Sequence, residues 1–450
     1  MTMPKEKLNE RESTSLAYAW VVVGLLMIAY TLSFLDRQIL ALLVTDIQRD
    51  LQVSDTQIGL LQGLAFTIFY TTLGIPIARL ADYRNRRNLI SVGILLWSVM
   101  TMLCGYTRSF FSLFLVRMGV GVGEAALSPA AYSIITDYFP REHLSKALSV
   151  YAMGVYIGGG IAFLMGGYLV SALSATDFSS VPILANLAGW QLAFVFAGLP
   201  GIFVAAIIYL FVREPSRRFL QQSSVPDTGG TIRDAVKYLS DHRRAYLPIY
   251  AGFSIHAVAV FAIFAWLPTQ LIREFDFSVS DAGKLVGMCI LLAGCAGAMA
   301  GGVICDRLLK GGRYDAPLIL GLISAVGTSL PFFVANFWEV PMWLRTCLIG
   351  SSFFFMALIA GPAPAAIQFI APQHLRAQLS AVFLFSINFI GMTLGPLLPA
   401  MLSDSLFTGA GGIGQAMTYV ILIAGVVSMF IFAAFRSDYK SLARASRAQN

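Results

Sequence analysis

Twelve apolar runs, each long enough to cross the ~30 Å hydrocarbon core of a bilayer as a helix, succeed one another along this chain. They fall at roughly residues 17–44, 56–80, 88–106, 109–136, 145–170 and 190–212, then 245–271, 281–305, 316–336, 342–370, 375–403 and 415–436. In hydrocarbon a backbone must satisfy its own hydrogen bonds, and a helix does so within one segment. The chain is 57% hydrophobic and 12% charged over 450 residues, too little polar side chain to cover a water-soluble fold of that size. The fold class that follows is an all-α integral membrane protein of twelve transmembrane helices in two six-helix bundles. Its expected divisions are a tail at 1–16, a first bundle at 17–212, a linker at 213–244, a second bundle at 245–436 and a tail at 437–450.

Of the 31 lysines and arginines, 24 lie in segments that share a side with the two ends of the chain, four lie on the other side, and three lie within or at the edge of spans. The positive-inside rule then puts both termini in the cytoplasm of a multi-pass protein of the cell (inner) membrane. The net charge of +7 follows from that asymmetry and from anionic lipid headgroups, so nucleic acid is not needed as a partner. The charged first 16 residues lead into a full-length apolar run and do not resemble a cleaved signal. Five cysteines scattered in or beside spans, without histidines at ligand spacing, point to no disulfide framework, no metal and no cofactor. No phosphate-cradling loop or nucleophile motif is present, so ATP-driven work within the chain and enzymatic chemistry are not expected.

Against this apolar background, LVRMGVGVGEAALSP at 115–129 carries Arg117 and Glu124, about two helical turns apart on one face. A charge at bilayer depth costs about 3 kcal/mol or more, and such groups survive where they face partner helices or a wet cavity. The first span holds a second pair, Asp36 and Arg37, in SFLDRQIL. Counting 1.5 Å per residue from the outer surface, Asp36 and Arg117 both lie about 12 Å deep and Glu124 about 10 Å deeper, which brings an Asp36–Arg117 pair within reach. Asp36 and Glu124 are the acidic residues deep in spans and so the candidates for binding protons. Arg37 and Arg117 are the candidates for binding an anion. A structural ion pair that only joins helices is the competing reading at this point.

Two hairpins and two further segments recur between the halves. GIPIARLADYRNRRNLI, with Asp82 at a helix end and Arg84, Arg86 and Arg87 around the turn, is echoed by GGVICDRLLKGGR, with Asp306 and Arg307. An aspartate so placed can accept from the N-terminal amides of a helix in the opposite half, while a solvated loop touching headgroups accounts for the arginines alone. Val53, Ser54 and Asp55 recur as Val279, Ser280 and Asp281, and HLSKALSV from His143 recurs as HLRAQLSA from His374. Such parallel repeats place a site near the midplane between two bundles. The Asp36–Arg37 pair is not repeated.

These residues carry a resemblance. The hairpin after the second span and its echo resemble motif A of the major facilitator superfamily, and Arg117-x-x-x-Gly121-x-Gly123 resembles its motif B. The Asp-Arg pair of the first span, LADYRNRR, and RMGVGVGEAALSPAAYSIITDYFP together resemble the spinster subfamily, which is associated with lysophospholipids and sphingosine phosphates. Ala78 and Asn85 stand where motif A has glycine, and Asn85 is expected to keep the turn because asparagine tolerates left-handed backbone. The glycines of the fifth span lack the Gly-Pro pair of drug/proton antiporters and are expected to serve close packing and rocking.

The resemblance implies a secondary transporter working by alternating access, proton-coupled and monomeric, with membrane lipids around it. Its substrate would be an amphipathic anion, gripped by Arg37, Arg117 and Glu124 with Tyr30 and Phe34 on one wall, and by His256, Phe264 and Asn388 on an apolar wall from the second bundle. His256 also reads as a hydrogen-bonded core histidine. Asp82, Arg84, Arg86, Arg87, Asp306 and Arg307 would form the conformational gate and hold the outward-open state, Asp82 docking near the start of the eleventh span and Asp306 near the start of the fifth. A proton symporter of a small organic anion, of hexuronate or aromatic-acid type, is the alternative within transport, and a membrane substrate sensor the alternative outside it. Pro362 and Pro364 should interrupt the tenth span. In the linker, apolar spacing at Ile232, Val236 and Leu239 predicts a helix lying on the membrane surface.

Overall fold

The computed structural model describes residues 16–176, 178, 180–182, 184–215, 232–409 and 411–449, and every regular element among them is helical. Eleven helical segments are long and apolar enough to cross a membrane. The remaining crossing, second in order, is made of two helices, Asp55–Gln62 and Leu64–Tyr83, that meet at Gly63. The other spans of the first bundle are Leu16–Leu51, Arg86–Cys104, Phe110–Tyr138, Arg141–Ser174 and Gly189–Phe211. Those of the second are Arg243–Glu274, Val279–Lys310, Ala316–Phe337, Met342–Ile370, the pair Arg376–Ser386 and Met392–Ser405, and Gly412–Gln449. Twelve crossings return the last helix to the face where the first begins, here the terminal face; the other is the distal face.

Local chemistry explains where the helices start and bend. Ser54 caps the second span in a capping box with Gln57. In the second bundle the corresponding cap is Ser278 on Val279–Met288, two residues before the serine that the sequence repeat aligns. The tenth span breaks after Ala357 and resumes at Pro362, where the two prolines fall. Three other spans of the second bundle each contain a π-helical turn, at Pro248–Gly252, Cys289–Gly294 and Ile387–Gly391.

Two boundaries differ from expectation. The last helix runs without a break past 437, and Tyr439 is buried with its hydroxyl donating to the Ala366 carbonyl at 3.0 Å, so this stretch is part of the second bundle. The linker helix Ile232–Asp241 rests on the second bundle. It buries Ala235, packs Tyr238 and Leu239 against the second bundle, and leaves Val236 exposed, so of the predicted apolar positions Leu239 is packed and Val236 is not.

The bundles meet toward the distal face. The fifth span crosses the start of the eighth where Gly167 and Gly283 face each other, and a Cβ on Gly283 would lie 2.5 Å from the Phe163 carbonyl oxygen. Small residues allow backbones this close in lipid. The described hydrogen bonds between bundles run from the distal face no deeper than Gln62, whose amide donates to the Ala265 carbonyl at 3.3 Å. Deeper than that, close contact between the fifth and eighth spans continues, at Gly160 with Leu291 and at Gly294 with Tyr156.

Candidate functional site

The first and fourth spans build the charged centre, and glycines in the fourth span set their spacing. A Cβ on Gly121 would sit 2.4 Å from the Phe66 carbonyl oxygen, and one on Gly123 would sit 2.6 Å from the Trp97 nitrogen. Only bare backbone lets the fourth span lie this close to the second and third, and that fit brings Glu124 to the first span. There the Glu124 Oε2 accepts from Ser33 Oγ at 2.7 Å and from Arg37 Nε at 2.6 Å, with a further contact from Arg37 Nη2. The Arg37 guanidinium lies over three rings, with centroids at 5.3 Å for Phe34, 4.5 Å for Phe66 and 4.7 Å for Tyr70. Cation–π contact of this kind holds a guanidinium in place without neutralising it.

The ion pair therefore joins Arg37 to Glu124, whereas depth alone suggested Asp36 to Arg117. Arg117 instead donates from Nη1 to the Asp36 main-chain carbonyl at 3.0 Å, and the Asp36 carboxylate accepts from Thr101 Oγ1 at 3.2 Å. The correction has a helical cause: Asp36 and Arg37 are adjacent, so they project about 100° apart, and only one of them can face the fourth span's acid. Asp36, Arg117 and Glu124 are all buried, and Asp36 Oδ1, Arg117 Nε and Glu124 Oε1 have no hydrogen-bond partner among the described residues. Buried charged atoms left without partners are costly and concentrate at working sites.

A cavity of about 410 Å³ lies beside this centre, between the bundles. Arg37, Arg117, Tyr30 and Phe34 line it from the first bundle, and Phe264 and Asn388 line it from the second. Asp36 and Glu124 stand behind the arginines and do not reach the wall. His256 is not on the wall either. It is buried in the second bundle, where its Nε2 donates at 3.1 Å to Ser324 Oγ, which in turn donates to the Phe355 carbonyl at 2.7 Å. The core-histidine reading is thus the one the geometry matches. Gln38, Gln62, Tyr70, Tyr132 and Tyr156 also line the cavity and were not singled out in the sequence. Their signal was there in part: Gln62 immediately precedes Gly63, where the second span breaks.

The expected gate residues are dispersed. Arg86 is buried within the first bundle, paired with Asp137 and Glu214 and bonded to Ser133 Oγ at 2.7 Å, so it ties the third, fourth and sixth spans together and is no headgroup contact. The Arg87 amide donates to Glu214 Oε2 at 3.0 Å, and its guanidinium lies over Tyr209. Asn85 caps the third span in an extended conformation, with φ of −67°, so no left-handed turn is needed there. Arg84, Asp306 and Arg307 are exposed on the terminal face, and Asp306 makes no hydrogen bond or ion pair among the described residues, so the docking expected of the outward-open state is not made in this one. The side chain of Asp82 lies outside the described residues.

Beside the second bundle's hairpin, Asp315 is buried at the start of the ninth span and paired with Arg436 of the twelfth. Burial pushes its carboxyl up, but the Arg436 hydrogen bond and the positive charge of Arg436 and Lys440 outweigh that and hold it below the usual carboxylate range.

Two six-helix units enclosing a midplane cavity, lined by cations from one side and aromatics from the other, agree with the family model that matches residues 26–396, described as the Major Facilitator Superfamily. The chain belongs to the major facilitator superfamily. Within this superfamily its spinster-like character extends over nearly all of its length. It is 26% identical, at a TM-score of 0.80, to the crystal structure of a bacterial homolog of the human lysosomal transporter spinster in an inward-facing, unoccupied conformation, covering 97% of this chain and 99% of that one. It is 26% identical to the sphingosine-1-phosphate transporter SPNS2 of Danio rerio, over 86% of this chain and 76% of that protein. It is also 29% identical to an MFS-type efflux pump of Mycolicibacterium smegmatis, over 95% of each.

Proposed function

We propose that this major facilitator protein is a monomeric secondary transporter that moves an amphipathic anion, of lysophospholipid or sphingosine phosphate type, by proton-coupled alternating access. The single observation that carries the reading is the Arg37–Glu124 pair at the cavity wall. Arg37 reaches the cavity while its partner does not, so a bound anion and Glu124 compete for the same guanidinium. If all four buried groups are ionised, the two arginines are balanced by Asp36 and Glu124. A proton on either acid leaves one positive charge facing the cavity, and an anion then restores neutrality. Proton and anion therefore favour each other, the thermodynamic condition for moving together.

The opposite wall, with Val260, Phe261, Phe264, Met356, Leu384 and Met392, offers apolar contact to a chain or ring. The distribution of Lys and Arg supports a cytoplasmic terminal face, and the hydrogen bonds that join the bundles near the distal face support an inward-facing state in an inner membrane with both termini inside. One observation favours a second reading, transport of a small polyhydroxy acid: Gln38, Gln62 and Asn388 add neutral hydrogen-bonding groups to the same cavity.

The test is uptake of labelled substrate into proteoliposomes under an imposed pH gradient, preceded by a thermal-shift panel of lysophosphatidate, sphingosine phosphate, galactonate and glucuronate. Stabilisation by the amphiphiles alone together with acid-driven flux supports the first reading. Stabilisation by the sugar acids alone replaces it with the second, and binding without flux turns the protein into a sensor.

A further inference from the structure

The distal seal has two layers, and the outer one contains charged residues that neither the hairpin motifs nor the central site involves. Next to the cavity, Gln62 donates to the Ala265 carbonyl and Thr269 Oγ1 donates to the Ala41 carbonyl, each at 3.3 Å. These neutral bonds run between bundles. Nearer the distal face, the Asp55 carboxylate accepts from Arg273 Nη1 at 3.0 Å and from Ser403 Oγ at 2.8 Å across the seam, and from Gln48 Nε2 at 2.9 Å within its own bundle. Asp404, at the end of the eleventh span, accepts at Oδ1 from the Asp55 amide at 3.2 Å and at Oδ2 from the Thr56 amide at 2.7 Å. Both donors belong to the first turn of Asp55–Gln62, where helix amides lack intrahelical partners and the dipole favours a negative charge.

We propose that Asp404 is the positioning residue that latches the distal face shut, as a cap supplied by one bundle to a helix of the other. The argument for Asp404 over Asp55 is that its carboxylate's described hydrogen bonds all cross the seam, whereas Asp55 also bonds Gln48 inside its own bundle. The seam has a pivot close by. A Cβ on Gly59 would lie 2.9 Å from the Pro396 carbonyl oxygen, and one on Gly63 would lie 2.8 Å from the Met392 carbonyl oxygen, so the second and eleventh spans touch backbone to backbone between the latch and the cavity. Rotation about that contact lifts Asp404 off its amides while the cavity end closes. Opening the distal face thus requires both amides to be released at once, along with the Asp55–Arg273 pair. The inference rests on the alternating-access reading, but not on any substrate.

The experiment uses the full chain in lipid nanodiscs in a Cys347→Ser background, with spin labels at Tyr106→Cys and Trp338→Cys on the distal face. A second pair, at Tyr83→Cys and Lys310→Cys, reads the terminal face. Asp404→Ala is expected to raise the population with long distal distances about fivefold, the scale of losing a helix-cap acceptor. The terminal pair should shorten in the same samples, and Asp404→Glu should restore the wild-type distribution. A general loss of packing would broaden both pairs together and would not be rescued by glutamate; that result, or unchanged distal distances in Asp404→Ala, overturns the latch. Substrate flux measured on the same preparations answers the transporter reading separately, since distances are recorded without substrate.

Discussion

Replacing Glu124 by glutamine removes one charge from the centre and keeps its shape. In the wild type an anion must draw Arg37 away from a carboxylate that holds it through Nε and Nη2. A charged hydrogen bond is worth about 1 kcal/mol more than a neutral one. Two of them would hold Arg37 by about 2 kcal/mol, and because the arginine side chain is 14% exposed, solvent screening lowers this to about 1.5 kcal/mol. That is roughly tenfold in affinity. Glu124→Gln should therefore bind a short-chain alkyl sulfate about tenfold more tightly than the wild type does at pH 7. The sulfate headgroup is fully charged at this pH, so the change reports the protein. The variant should also lose accumulation driven by a pH gradient while keeping exchange. Glutamine can still accept from Ser33 and Arg37, so folding is preserved. A variant that retains accumulation driven by a pH gradient removes Glu124 from the proton path, and one that binds more weakly than the wild type makes Glu124 a direct substrate ligand; either result refutes the competition argument.

Three further substitutions test the surrounding structure. Gly121→Ala places a methyl 2.4 Å from the Phe66 carbonyl, so it should cost about 1–3 kcal/mol and abolish transport by pushing Glu124 away from Arg37; a melting temperature equal to wild type would show that the fourth span is not so tightly seated. His256→Gln should leave substrate affinity within about twofold and lower thermal stability by about 1 kcal/mol, because it disturbs the Ser324 bond and no cavity contact; a large affinity loss in a binding assay would return His256 to the site. Asp315 has a depressed folded-state pKa, so the stability it contributes is full above the unfolded value of about 3.9 and is lost as pH falls through the folded value. Asp315→Asn should thus cost about 1–3 kcal/mol at pH 7 and flatten the fall in melting temperature below about pH 4; an unchanged acid profile would exclude the Arg436 pair as its cause.

What the sequence disclosed and what it concealed divide along a physical line. Span number, bundle division and the depth of Arg37, Arg117, Asp36 and Glu124 follow from hydrocarbon thickness and helical rise, and these one-dimensional quantities are visible in any sequence. Partner choice at equal depth depends on rotation about the helix axis, which rise cannot report. Asp36 and Arg37 are adjacent in depth yet face different neighbours, so depth alone points to an Asp36–Arg117 pair where the ion pair joins Arg37 to Glu124. The same limit applies to His256, whose depth fits a cavity and whose azimuth points at Ser324. Arg86 shows a different limit, because Asp137 and Glu214 are 51 and 128 residues away and no local pattern marks them as partners. Asp404 combines both, being an unremarkable acid at a span end whose role appears only when a helix from the other bundle offers it two free amides. A residue at bilayer depth can therefore be nominated by its cost, but its role is set by the helix it turns toward, and in this protein that choice is made by bare-backbone contacts such as Gly121 on Phe66 and Gly59 on Pro396. Those glycines carry no chemistry of their own, yet shifting either helix by the width of one methyl group would separate the charges that do.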